Sequence, residues 1–338
     1  MARRPTIKEV SKLAGVSFKT VSRVLNNEKN VSDETRRRVE QVVADLNFRP
    51  SLAARTLAGR KSFQVALLYD NPSPYYVYHL LAGAQEGCAE HGYRLLTQPV
   101  DSAAPGLVAD VAALVDETHL DGLILSPPVT ENEALLDELD RRGLPYVRIE
   151  PGVRRDVGRS VTIDDASAAQ EATAHLLAHG HRRIAFIKGP LSHVSTVERL
   201  KGYRAALDAA AVAFEPDLVA AGDYSIESGR RAAAALLDRA VPPTAIFAGN
   251  DDMAAGALAV AHERGITVPD QLSIVGFDDS DLAAAVWPPL TTVRQPVHEL
   301  ARSAADLLLD AKSPRDRLTF DTRLIARAST GPAPLRLA

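Results

Sequence analysis

Two sets of residues in this sequence have types and spacings suited to chemistry, and they suit different partners. The first is the run Ser17-Phe-Lys-Thr-Val-Ser-Arg23. At helical spacing Val21 and Val24 turn to one side, which leaves Phe18, Lys19 and Arg23 pointing outward. Arginine or lysine can bond guanine O6 and N7, and an aromatic ring can contact a thymine methyl. Thr20 and Ser22, with the basic run Arg36-Arg37-Arg38, suit phosphate oxygens, which give affinity without sequence information. The second set follows a series of apolar runs. It comprises Tyr69-Asp70-Asn71 with Pro74-Tyr75-Tyr76, then Ser126, Glu150, Pro190 to Arg199, Asp223-Tyr224, Asn250-Asp251-Asp252 and Asp278-Asp279. Carboxylates, amides, rings and an arginine suit a neutral polyhydroxylated ligand. Each acid also has a plainer reading: Asp251 and Asp252 can cap the helix that follows, and Asp223 can hold a turn.

The elements that must position the first set are three short helices. Thr6-Ile-Lys-Glu9 has the form of a capping box, with Ile7, Val10 and Ala14 on one face after it. Gly15 permits a tight turn. Ser17 can cap a second helix whose buried side is Val21, Val24 and Leu25, and Ser32 a third in which Val39, Val42, Val43 and Leu46 repeat. None is stable alone. Two helices joined by a short glycine-bearing turn form a helix-turn-helix, whose second helix enters the major groove. Beyond them Pro50 can open and Gly59 can close a further helix of about two turns. It reads either as a plain linker or as a segment that folds on meeting DNA and a partner subunit.

The second set needs a different frame. Apolar runs at 65–69, 93–97, 122–125, 146–149, 184–187, 218–221, 245–248 and 273–277 alternate with helical stretches at 79–91, 166–179 and 225–240. Such alternation predicts parallel sheets covered on both faces. About nine units exceed one usual sheet, so two doubly wound subdomains are expected. Ligands of such folds sit beyond the carboxyl ends of the strands, which is where the second set falls.

Composition sharpens the division. The first 60 residues carry 13 Lys+Arg against 6 Asp+Glu, while the remainder carry 26 against 37. A basic head on an acidic body points to a polyanion partner for the head. No long apolar stretch predicts a membrane span, and the polar N-terminus has no apolar core of a secretory leader. A cytoplasmic location is expected. The lone Cys88 is expected to be a small buried residue. Gly-x-Ser-x-Gly, HExxH, P-loop and paired-cysteine patterns are missing, so neither enzymatic activity nor a cofactor or metal is expected. His179-Gly180-His181 reads as a helix end and turn. An exported solute-binding protein would share the body but not the head.

The stretches TIKEVSKLAGVSFKTVSRVLNN and VSDETRRRVEQVVADLNFRPSLAARTLAGR resemble the head of the LacI/GalR family of transcriptional regulators. The body segments GPLSHVSTVERLKGY, AIFAGNDDMAAGAL and LSIVGFDDSDL resemble that family's core, which is similar to periplasmic binding proteins. The resemblance implies an α/β protein: an all-α helix-turn-helix head over 1–49, a hinge helix and linker over 50–61, and a core of two doubly wound parallel-sheet subdomains over 62–338. It implies contact with operator DNA at Phe18, Lys19, Thr20, Ser22 and Arg23. In the hinge, Ala54 and Leu57 would meet the minor groove, Leu57 as a wedge. It places a small-molecule effector, expected to be a sugar, at Tyr75, Tyr76, Ser126, Glu150, His193, Ser195, Arg199, Tyr224, Asn250 and Asp278. A homodimer on a pseudo-palindromic operator is implied, released by inducer. A corepressor-dependent repressor sensing a nucleobase is the alternative.

Overall fold

The computed structural model of the chain describes residues 5–25, 30–48, 61–310 and 315–334. The hinge positions Ala54 and Leu57 lie outside the described residues. Contacts divide the chain into two units, Met1–Phe63 and Gln64–Ala338.

The first unit is a three-helix head: α1 (Ile7–Ala14), α2 (Phe18–Leu25) and α3 (Asp33–Asp45). The capping box closes as its sequence requires. Thr6 accepts from the Glu9 amide, and the Glu9 carboxylate accepts from the Thr6 amide at 2.7 Å. Gly15 ends α1 in the left-handed region at φ 63°, where a Cβ would be strained. Ser17 and Ser32 cap α2 and α3 by accepting from the Thr20 and Thr35 amides at 3.1 and 3.4 Å. Val10, Ala14, Val21, Val24, Val39 and Phe48 form the core. Val42, Val43 and Leu46 are only half-buried at its margin, because α3 presents one edge of its apolar face to so small a core.

The second unit holds two lobes. Lobe 1 has a six-stranded sheet in the order β11-β5-β4-β3-β1-β2. These strands are β1 (Gln64–Tyr69), β2 (Arg94–Pro99), β3 (Gly122–Leu125), β4 (Tyr146–Ile149), β5 (Arg159–Ile163) and β11 (Arg317–Phe320). All its neighbours run parallel. Lobe 2 has the order β12-β10-β9-β8-β6-β7. Its strands are β6 (Ile184–Lys188), β7 (Val219–Ala221), β8 (Ala245–Ala248), β9 (Ser273–Asp278), β10 (Thr291–Arg294) and β12 (Arg323–Ile325). Here the expectation of a wholly parallel sheet is corrected, since β12 pairs antiparallel with β10. The chain returns to lobe 2 from β11, an edge strand of the other sheet, and β12 joins β10 at the edge.

Both sheets are covered by helices. Those of lobe 1 are α4 (Pro74–Glu90), α5 (Leu107–Thr118), α6 (Glu133–Arg142) and α12 (Val297–Leu309). Those of lobe 2 are α7 (Asp165–Ala178), α8 (Val194–Ala209), α9 (Ile226–Leu237), α10 (Asp251–Glu263) and the short α11 (Asp281–Ala285). Burial on both faces explains the continuous apolar runs: every residue of β3 and β8 is buried. Two glycines set the closest helix contacts. A Cβ on Gly83 of α4 would lie 2.0 Å from the His298 carbonyl of α12, and one on Gly202 of α8 would lie 2.0 Å from the Ala166 carbonyl of α7. The chain passes between the lobes three times, after β5, after β10 and after β11. His179 caps the end of α7. His181 is buried between Thr244 and Ser273, a structural tie. Cys88 is fully buried on α4. Among the described residues no helix is long and apolar enough to cross a membrane.

Candidate functional site

In each sheet the strand order reverses between two neighbours, β1 and β3 in lobe 1, β6 and β8 in lobe 2. Adjacent loops leave in opposite directions there, and a crevice opens at the carboxyl ends. The two crevices face one another across a shared cavity. Lobe 1 contributes Asn71, Ser73, Tyr76, Pro127 and Glu150, and lobe 2 contributes His193, Ser195, Arg199, Tyr224, Asn250 and Asp278. Gln295, in the segment that follows β10, completes the lining. The lobes also touch directly: Ser73 donates to the Asp252 carboxylate, and Arg155 pairs with Glu198 at 3.0 Å.

Eight of the ten residues expected at an effector site therefore line one cavity. Two do not. Ser126 is fully buried, and its hydroxyl donates to the Leu68 carbonyl at 3.2 Å, back into the sheet. Tyr75 lines an adjoining groove with His79 and Asp281. Consecutive residues of a helix point about 100° apart, so Tyr75 and Tyr76 at the start of α4 cannot both face the cavity. Asn71 was within the strand-end set but carried no particular signal. Ser73, Pro127 and Gln295 were missed. Ser73 has the signature of a helix cap, and it accepts from the Tyr76 amide as one.

Arg199 is the central cation. It is buried on α8, where its Nε donates to Asp165 Oδ1 at 2.7 Å and Nη1 to the Gly249 carbonyl at 2.6 Å. Its guanidinium carbon lies 3.5 Å from the Phe277 ring centroid, a cation–π contact. Burial works against the charge, but Asp165, with Tyr224 and Asp278, more than offsets this and holds Arg199 above its ordinary range. Around it the carboxyls are raised as well, which for an acid favours the uncharged form. Glu150 is raised by burial and by neighbouring Asp165. Asp278 is raised by burial and by Asp251 behind it. Asp251 itself is pushed up to about 7 by burial, although Thr292 and Ser280 donate to it. Tyr76 is raised by burial and by Glu150 and Asp278. Backbone strain gathers in the same place: Glu150, Tyr224 and Asp278 have φ of 52°, 68° and 121°, conformations that non-glycine residues hold only when their surroundings impose them.

Asn250 caps α10 by accepting from the Met253 amide at 2.9 Å, while its amide nitrogen donates to the Tyr224 carbonyl at 2.9 Å. The Tyr224 hydroxyl meets Thr196 at 2.8 Å and Ser195 at 3.3 Å. The His193 ring stands edge-on to Tyr224, with centroids 5.1 Å apart. His193 is 7% exposed, and its Nε2 has no hydrogen-bond partner among the described residues. Burial lowers its pKa to about 4. An unfolded histidine takes its proton near 6.5, so this group withdraws stability as pH falls from about 6.5 towards 4. Glu150 and Asp278, raised in the fold, act in the opposite sense in wild type and variant alike. His193→Gln should therefore lose less stability than wild type over that window, by at most about 3 kcal/mol. Urea unfolding at successive pH values measures the difference, and parallel curves would remove His193 from this role.

The head offers a second surface. Phe18 is 64% exposed at the start of α2, Lys19 is exposed beside it, and Arg23 lies half-exposed on the same helix. Thr20 and Ser22 are half-buried, Thr20 being engaged with Ser17 at 2.9 Å. Arg37 and Arg38 are exposed on α3 and Arg36 is half-exposed. A surface phenylalanine flanked by cations fits a base-reading helix better than a solvated one.

Comparison with known proteins agrees with both halves. Residues 6–51 match the family described as bacterial regulatory proteins, lacI family, and residues 173–330 match the periplasmic binding protein-like domain. The chain is 35% identical to the HTH-type transcriptional regulator DegA of Bacillus subtilis (strain 168), over 97% of this chain and 99% of that protein. It is 36% identical to the HTH-type transcriptional regulator CelR of Thermobifida fusca, over 97% and 98%. Among solved structures it is similar to a complex of transcriptional regulator CelR with cellobiose, with a TM-score of 0.74, 34% identity and coverage of 96% and 100%. It is also similar to the lac repressor dimer bound to operator and the anti-inducer ONPF, with a TM-score of 0.80, 28% identity and coverage of 97% and 100%.

Proposed function

Because the chain belongs to the LacI family of DNA-binding transcriptional regulators, which are not enzymes, we propose that it is a repressor released from its operator by a sugar-like inducer. The observation that carries this reading is the cavity between the lobes, where Glu150, Arg199, Asn250 and Asp278 converge beside Tyr76 and Tyr224. Polar groups of this kind bond hydroxyls, and the rings supply faces for a sugar. The solved complex of the relative CelR contains cellobiose. The protein acts in the cytoplasm as a homodimer on a pseudo-palindromic site. Phe18, Lys19 and Arg23 read bases, and Thr20 and Ser22 hold phosphates. A ligand bridging the lobes favours their closed arrangement and shifts DNA binding by its difference in affinity between the two states. Couplings of this kind are about 1–3 kcal/mol.

The test is a titration of operator binding, using the DNA upstream of the protein's own gene, against neutral sugars and against purines. Release by a sugar is expected. Tighter binding in the presence of a purine would reverse the sign and replace the inducer by a corepressor. DNA binding indifferent to every sugar would end the sugar reading.

A further inference from the structure

We propose that the cavity admits uncharged polyols and rejects their phosphorylated and carboxylated forms, and that Glu150 and Asp278 impose the choice. The inference rests on the sugar reading above and narrows it.

Charge balance in the cavity sets the preference. Among the described residues Arg199 is the one guanidinium or ammonium group lining the cavity. Its charge is already engaged by the buried Asp165 at 2.7 Å, and a second nitrogen by the Gly249 carbonyl. His193 stays neutral, since burial holds its pKa at about 4. Glu150 and Asp278 reach the cavity from opposite lobes, and both receive hydrogen bonds from neutral donors. The Ile163 amide donates to Glu150 at 2.9 Å, and the Gln295 amide donates to Asp278. Arg199 acts on both and lowers them, but its ion pair is with Asp165. Burial drives both carboxyls above their ordinary range, so the site already disfavours the negative charge it holds.

A hydroxyl-bearing ligand relieves this arrangement, because each hydroxyl can donate to a carboxylate without adding charge. It can also meet His193 Nε2, a buried polar atom on the lining with no partner among the described residues. An anion brings a further negative charge, few donors, and no free cation to receive it. Leaving a buried charge uncompensated costs enough to weaken binding by at least ~100-fold.

The experiment measures binding of the full chain by calorimetry to three matched pairs at fixed pH and ionic strength: glucose with glucose 6-phosphate, galactose with galacturonate, and ribose with ribose 5-phosphate. At least one neutral sugar should bind, with its anionic partner at least ~100-fold weaker. In the double variant E150Q/D278N the gap should narrow to under ~10-fold, since the carboxylates that repel the anion are gone. The single variant E150Q, expected to narrow it in part, serves if the double variant fails a melting check. An anionic form that binds as tightly as its neutral partner overturns the inference and leaves the sugar reading standing. A gap unchanged in the variants removes Glu150 and Asp278 from the role. No binding by any of the six probes overturns this inference as stated, and the sugar reading falls with it only if operator binding is also indifferent to every sugar.

Discussion

Arg199→Ala is expected to abolish release from the operator and to cost the body about 3–5 kcal/mol of stability, the usual penalty for stranding one partner of a buried ion pair. Asp165 is 4% exposed and would lose the Nε bond at 2.7 Å. The Gly249 carbonyl loses its donor, and the Phe277 face loses its cation. The stability loss and the response loss are separable. In Arg199→Met combined with Asp165→Asn no charge is stranded, so much of the stability should return, while the effector still lacks the guanidinium. Unfolding curves and operator titrations with saturating ligand on wild type, single and double variants decide the matter. A double variant that regains stability and also releases DNA at the wild-type ligand concentration would show that Arg199 holds the fold and not the ligand.

Arg23→Ala should weaken specific operator binding by about 1–3 kcal/mol for each head, the worth of a bidentate base contact. Two heads of a dimer meet two half-sites, so the complex should lose about 2–6 kcal/mol, roughly 30-fold to more than 10⁴-fold. Arg23 sits one turn beyond Phe18 and Lys19 on α2, held there by Val21 and Val24 in the head core. Binding to random DNA should fall far less, because that binding depends on phosphates. Gel shifts on operator and on scrambled DNA at one salt concentration distinguish the two. Equal losses on both would make Arg23 a phosphate contact.

The head was legible because its signals are local. A cap, a glycine and an apolar spacing at each helix point to one structure, and they agree with one another. The body was legible where strands are buried on both faces: the runs at 122–125, 146–149 and 245–248 coincide with β3, β4 and β8 residue for residue. Four strands escaped. β5 and β10 read Arg-Ser-Val-Thr-Ile and Thr-Thr-Val-Arg, while β11 and β12 are short edge strands with exposed positions. None carries an apolar run. The omission had consequences for the site, since a search beyond strand ends could not reach Asp165 after β5 or Gln295 after β10. Both are central in the fold, one neutralising Arg199 and the other donating to Asp278. Ser126 was misplaced for a different reason. Its position at a strand end is real, but a hydroxyl can turn back to its own sheet, and residue type alone does not say which way it turns.

The threefold passage of the chain between the lobes bears on how the protein is made. Lobe 1 begins at β1, yet its helix α12 and its edge strand β11 come only after most of lobe 2 in the sequence. A ribosome therefore delivers nearly all of lobe 2 while lobe 1 still lacks its last layer. Throughout that interval the glycine face of α4, later sealed by the His298 backbone, and the open edge of β5 remain uncovered. Such surfaces are where nascent chains associate wrongly. The head, whose contacts are all near in sequence, can be folded and able to meet DNA before the domain that governs it is finished. Premature termination within lobe 2 would thus release a polypeptide that carries the head without the domain that governs it.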